Sequence, residues 1–204
     1  QKVALNKMGE GIQLSVDTLR EICCCLAIAA AFVYAATFYT TIMYLDEIGV
    51  RGVDVRFEDY ILFSTVAVLL TAVGISITSF MGNVWFKLLH FFLDSAMLIV
   101  ICYSFVATFW AKDHILSEIQ NGVLRSVKLQ KQNACSNWNG PNDYLGTIGG
   151  IYDRVCGEVF NEYYDRKAAT NSIMLAISGI LSSLSVIFSG ILYVNDDISS
   201  PCVV

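Results

Sequence analysis

WFKLLHFFLDSAMLIVICYSFVATFW, Trp85 to Trp110, is the stretch that decides the fold. At ~1.5 Å per helical residue its two tryptophans stand about 37 Å apart, enough for a hydrocarbon core of roughly 30 Å plus part of each headgroup zone. An indole suits that boundary, because its apolar ring faces lipid while its N–H faces water, so Trp85 and Trp110 read as the two anchors of a membrane span. Asp94 lies inside the span, on the order of 10 to 13 Å from the Trp85 side. It is the charged residue set deepest in any apolar run of the chain.

Composition extends this reading to the whole chain. Of its 204 residues 55% are hydrophobic and 15% charged, and the mean hydropathy is +0.58. Four runs reach the ~20 residues a membrane helix needs: Ile22–Leu45, Tyr60–Phe80, Leu88–Trp110 and Ile173–Val194. The expected fold class is all-α integral membrane, a bundle of four transmembrane helices. Its segments are an N-terminal segment 1–20, spans at 21–45, 60–80, 88–110 and 171–194, a short loop 46–59, a turn 81–87, a large loop 111–170 and a tail 195–204. The net charge of −5 and the absence of a basic patch exclude nucleic acid as a partner. No Walker loop, HExxH, GxSxG or paired CxxC is present, which argues against an enzyme, a catalytic residue or a metal site.

Thr18-Leu-Arg-Glu21 has the spacing of a capping box opening the first span. Just inside it stand Cys23, Cys24 and Cys25, at a depth where thiols are commonly S-acylated, and Cys202 in the tail is a further candidate; the alternative is cysteine as small apolar filler. Ala27, Ala31 and Ala35 recur every four residues, and Ala67, Thr71, Gly74 and Thr78 follow a 4-3-4 spacing. The two stripes are expected to meet, since close contact of small residues supplies the association energy that hydrophobicity cannot supply in lipid. Ser178, Ser182, Ser185 and Ser189 form a third such stripe on the last span.

Lys87, His90 and Asp94 are spaced i, i+3, i+7 and share a helix face. An ionisable residue at mid-helix costs ~2.5 to 3.5 kcal/mol, so it needs a reason. One reason is a proton or ion pathway, which makes the chain a small channel or transporter subunit using Asp94 and His90. The other is interhelical glue, with Asp94 bonded to Ser or Thr on neighbouring helices. The face continues through Leu98, Ile101 and Phe105, whereas a pathway needs polar residues through both leaflets, so glue is the expected role.

After Trp110 about sixty polar residues precede the last span. Ile115, Ile119, Val123 and Val127 recur at i+4, and Val155, Val159 and Tyr163 form a second stripe beside Cys156, Phe160 and Tyr164. The loop therefore reads as a two-helix extramembrane stalk between the third and fourth spans. Its Asn- and Gly-rich tip offers Trp138, Pro141 and Tyr144 as a candidate partner surface. In an oxidising compartment Cys135 and Cys156 should pair.

Four spans, a short first loop, a tight second hairpin and a cysteine-bearing helical loop before the last span resemble a tetraspanin. The likeness rests on the small-residue seam of the first two spans, Asp94 in the third, the Cys23–Cys25 cluster, and Cys156-Gly157 opening the segment that runs into the fourth. The family's Cys-Cys-Gly is replaced by Ala134-Cys135-Ser136, which marks a divergent member with one disulfide. The resemblance implies a non-enzymatic organiser. Its partners are other integral membrane proteins and lipids, in homo- or hetero-oligomers; it needs no cofactor and leaves room for a bound lipid or sterol. The setting is the plasma membrane or an endomembrane. Cytoplasmic termini place Lys2, Lys7, Arg20 and Lys87 inside and the other nine of the thirteen basic residues outside, against the positive-inside rule. The cysteines favour that orientation nonetheless, with Cys23–Cys25 at a cytosolic face and Cys135 and Cys156 in an extracellular or lumenal loop.

Overall fold

The structure is a computed structural model and describes residues 2–4, 13–51, 55–81, 84–121, 129–136 and 154–199. Four long helices account for most of them: α1 Val16–Glu47, α2 Val55–Ser79, α3 Val84–Asn121 and α4 Cys156–Ser199. Each is long and apolar enough to cross a membrane, so the chain is a multi-pass, all-α membrane protein. Two small ladders accompany the helices. β1 (Lys2–Ala4) pairs antiparallel with β2 (Gln13–Ser15) directly ahead of α1, and β3 (Cys135–Ser136) runs parallel to β4 (Arg154–Val155) directly ahead of α4.

The helices start and stop on local signals. α1 is already helical at Val16, so the capping box expected at Thr18–Glu21 lies within the helix; Ser15 precedes the first turn and Asp17 complements its dipole. α1 ends in a Schellman motif: Val50 N–H donates to Leu45 O at 2.9 Å and Gly49 N–H to Asp46 O at 3.1 Å. Gly49 has φ 80°, which a side chain would resist. α2 opens five residues before its apolar run because Glu58 suits the positive helix end. α4 is one unbroken helix from Cys156, so the last span and the stripe preceding it are continuous.

Contacts divide the chain into two compact units. The first comprises Gln1–Tyr34, Val66–Cys102 and Ala176–Val204. There α1 buries Cys23, Ala27 and Ala30, and α4 buries Ser178, Ser182, Ser185 and Ser189. Ser178 Oγ donates to Ala30 O at 2.8 Å and Ser185 Oγ to Cys23 O at 3.2 Å. The contacts are one heptad apart on each helix and in opposite order, which defines an antiparallel, coiled-coil-like seam. The small-residue stripe of α2 does not join it. Ala67 is exposed, and Gly74 lies under Leu93 of α3, whose Cδ1 would sit 3.1 Å from an added Cβ. The buried face of α2 runs instead through Val68, Ala72 and Ile75, and α1 reaches α2 through Cys24 Sγ and Ser76 Oγ at 3.4 Å.

The second unit comprises Ala35–Thr65 and Tyr103–Leu175. Its core gathers Tyr44, Leu45, Ile48 and Val50 from the end of α1, Ala111, Ile115 and Ile119 from α3, Leu129, and Cys156, Val159, Phe160 and Tyr164 from α4. Both stripes read from the loop sequence point into this core. Asn133 Nδ2 donates to Ile48 O at 3.0 Å, fastening helical residues 129–133 to the cap of α1. Cys135 is bonded to Cys156, with Cα atoms 5.0 Å apart. Val123 and Val127 of the first stripe lie outside the described residues.

Candidate functional site

The first unit contains a buried polar cluster, an expensive thing to keep in a membrane-spanning bundle. Asp94 is fully buried, and its Oδ1 accepts a hydrogen bond from Ser185 Oγ at 3.0 Å. Its Oδ2 lies 3.3 Å from His90 Nε2, one helical turn earlier on α3. The two atoms are close enough for an ion pair, but their alignment falls short of a hydrogen bond. His90 Nδ1 lies 3.2 Å from Thr78 Oγ1 and 3.3 Å from Ser79 Oγ, both at the end of α2. These hydroxyls are within donating distance of helix carbonyls, Thr78 to Gly74 O at 2.9 Å and Ser79 to Ile75 O at 2.7 Å.

A hydroxyl that gives its proton to the helix carbonyl accepts from Nδ1–H, and one that turns to the ring donates to Nδ1. Nε2 faces Asp94 Oδ2 across the 3.3 Å contact. Around it, Cys23 Sγ lies 3.9 Å from Ser185 O, and Ser182 Oγ is buried without a hydrogen-bond partner among the described residues.

A cavity of about 20 Å³ touches the outer side of this cluster, lined by Arg20, Thr78, Ser79, Lys87, His90 and Ser189. It has room for about one water molecule. Lys87 is half-buried at its wall, so the three residues of the i, i+3, i+7 face stand in order of increasing burial. Beyond Asp94 the next buried positions of α3 in this unit are Met97 and Ile101, both apolar.

The remaining candidates fall into different surroundings. Among the cysteines Cys23 is buried, Cys24 half-buried and Cys25 exposed, so the three differ in access. Ala27 and Ala31 are buried and Ala35 is half-buried; Thr71 is half-buried, and Thr78 touches His90 of α3. Cys202, Trp138, Pro141 and Tyr144 lie outside the described residues. The second unit holds a polar group that sequence reading passed over: Asn171 Nδ2 donates to Thr41 Oγ1 at 2.7 Å, Thr40 Oγ1 donates to Asn171 Oδ1 at 3.4 Å, and Tyr60 pairs with Ser104 at 2.8 Å. Asn171 continues the α4 heptad of Ser178, Ser182, Ser185 and Ser189, and that spacing was its available signal. Among the described residues no cluster of His, Cys, Asp and Glu has the makings of a metal site.

No protein-family model, no curated protein and no solved structure matches this chain.

Proposed function

We propose that the chain is a non-enzymatic, tetraspanin-like membrane organiser that associates laterally with other integral membrane proteins as a structural or accessory subunit. The observation that carries this reading is the enclosure of Asp94: Ser185 of α4 and His90 of α3 supply its neighbours from within the chain, as glue requires. A conduction path needs polar groups continuing into the other leaflet, and the apolar burial of Met97 and Ile101 speaks against one.

The stalk belongs to the same proposal. At 38 and 44 residues α3 and α4 reach ~57 and ~66 Å, about twice a hydrocarbon core, so each projects well beyond the bilayer. The disulfide between Cys135 and Cys156 suits an oxidising side, which supports reading the large loop as extracellular or lumenal and both termini as cytoplasmic. S-acylation of the N-terminal cysteines would fit a cytosolic membrane face.

The test uses the purified full chain in liposomes and the same chain in cells. The organiser carries no pH-dependent or cation flux in liposomes, and it is recovered in mild detergent with other membrane proteins. A flux in the parent that Asp94→Asn abolishes would replace the organiser with a transporter.

A further inference from the structure

The second unit has an open groove of about 400 Å³ between α1 and α2, within the ~300 to 1,000 Å³ typical of ligand sites. Phe38 and Ile42 of α1 and Ile61 and Leu62 of α2 form apolar walls. Arg51, Glu58 and Asp59 line the end nearest the α1–α2 connection. The groove belongs to the membrane-spanning part of both helices, where water does not wet an apolar trough and an empty one forfeits the packing of its walls. A lipid chain is the filler that surroundings supply.

The charged end selects among lipids, and we propose that this groove binds one zwitterionic phospholipid, its phosphate on Arg51, its ammonium group against Glu58 and Asp59, and an acyl chain between Phe38 and Leu62. A guanidinium fork matches phosphate oxygens in geometry as well as charge. Two carboxylates beside it attract an ammonium group and repel a head that carries only negative charge. A sterol hydroxyl can hydrogen-bond one of these groups but neutralises none of the three charges. Arg51 and Asp59 are exposed at this end of the groove. The groove lies in the second unit, whereas the Asp94 cluster lies in the first, and the proposal does not depend on the organiser reading.

The experiment places the full chain in nanodiscs with phosphatidylcholine carrying a photoreactive acyl chain and maps labelled peptides by mass spectrometry, beside matched phosphatidylglycerol and sterol probes. Phosphatidylcholine should label 35–42 and 61–65 above every other lipid-facing segment. Replacing both acids, Glu58→Gln with Asp59→Asn, should lower that labelling about fivefold and lift phosphatidylglycerol to parity, at roughly one interfacial interaction for the single ammonium group the two acids share. Arg51→Gln, at an exposed position outside the helices, should weaken phosphatidylcholine by a similar factor and serves if the double variant fails to fold. Groove labelling no stronger than that of the other faces, or a parent that prefers the sterol or phosphatidylglycerol probe, overturns the proposal.

Discussion

Ser185 of α4 donates one hydrogen bond to Asp94 Oδ1 of α3 at 3.0 Å and lies 3.2 Å from Cys23 O of α1, so a single serine hydroxyl is the meeting point of three helices. It has only one proton, so the two acceptors compete for it and the bond is shared. Asp94 is held by geometry that an amide can reproduce and an alkyl group cannot. We therefore expect Asp94→Asn to leave the thermal melting temperature of the purified protein nearly unchanged. Asp94→Leu strands Ser185 and His90 and should lose about 1 to 3 kcal/mol. Equal melting of the Leu variant and the parent would show that the cluster contributes nothing to cohesion.

The α1–α4 seam is tight at Ala30, which is fully buried and accepts the Ser178 hydroxyl at 2.8 Å. Ser178→Ala removes one interhelical bond and should cost about 0.6 kcal/mol, the average for such bonds in lipid. Ala30→Leu forces the helices apart and should cost about 1 to 3 kcal/mol. Crosslinking yield between cysteines placed on the two helices, read with the melting temperature, checks the order of the effects.

The Cys135–Cys156 bond closes a loop with a sequence separation of 21 and is buried within the second unit's core. Replacing both cysteines with serine should destabilise that core by about 3 kcal/mol in the chain-entropy treatment. Protease resistance of the region around Ile115 and Phe160, compared with and without reductant, measures it. Resistance indifferent to both reductant and substitution would mean that the apolar core suffices alone.

Ala134 follows helical residues 129–133 with φ 46°, in the left-handed region that favours glycine. Relief of the Cβ penalty there outweighs the entropy glycine adds to the unfolded chain. Ala134→Gly should stabilise the protein by about 0.5 to 1 kcal/mol, a rise visible in a thermal shift assay. A fall would mean that the left-handed turn is not held in solution.

Unequal exposure ranks the three adjacent cysteines. Cys25 is exposed, whereas Cys23 packs beside Ser185. Hydroxylamine-sensitive acylation is expected to survive Cys23→Ser and to fall most with Cys25→Ser. Full loss on Cys23→Ser alone would mean that the buried thiol reaches the acylating enzyme.

Local properties were legible in the residues themselves. Whether a run of apolar side chains is long enough to cross a bilayer depends on the run and on nothing distant, so four spans follow from composition alone. The periodic stripes at Ile115 and Ile119 and at Val159 and Phe160 announced buried faces because polar residues separate the apolar ones there, which makes hydrophobic periodicity informative. Within the spans that signal vanishes, since large apolar residues such as Phe32, Leu70 and Phe92 face outwards as readily as inwards. Which side of α2 packs, that Thr78 and Ser79 cup His90, that Cys23 is enclosed while Cys25 is not, and that a groove opens between Phe38 and Leu62 all depend on how one helix turns against another. In lipid that rotation is set by close contact and hydrogen bonds between helices distant in sequence, as between Ser178 and Ala30, so only the tertiary structure decided it.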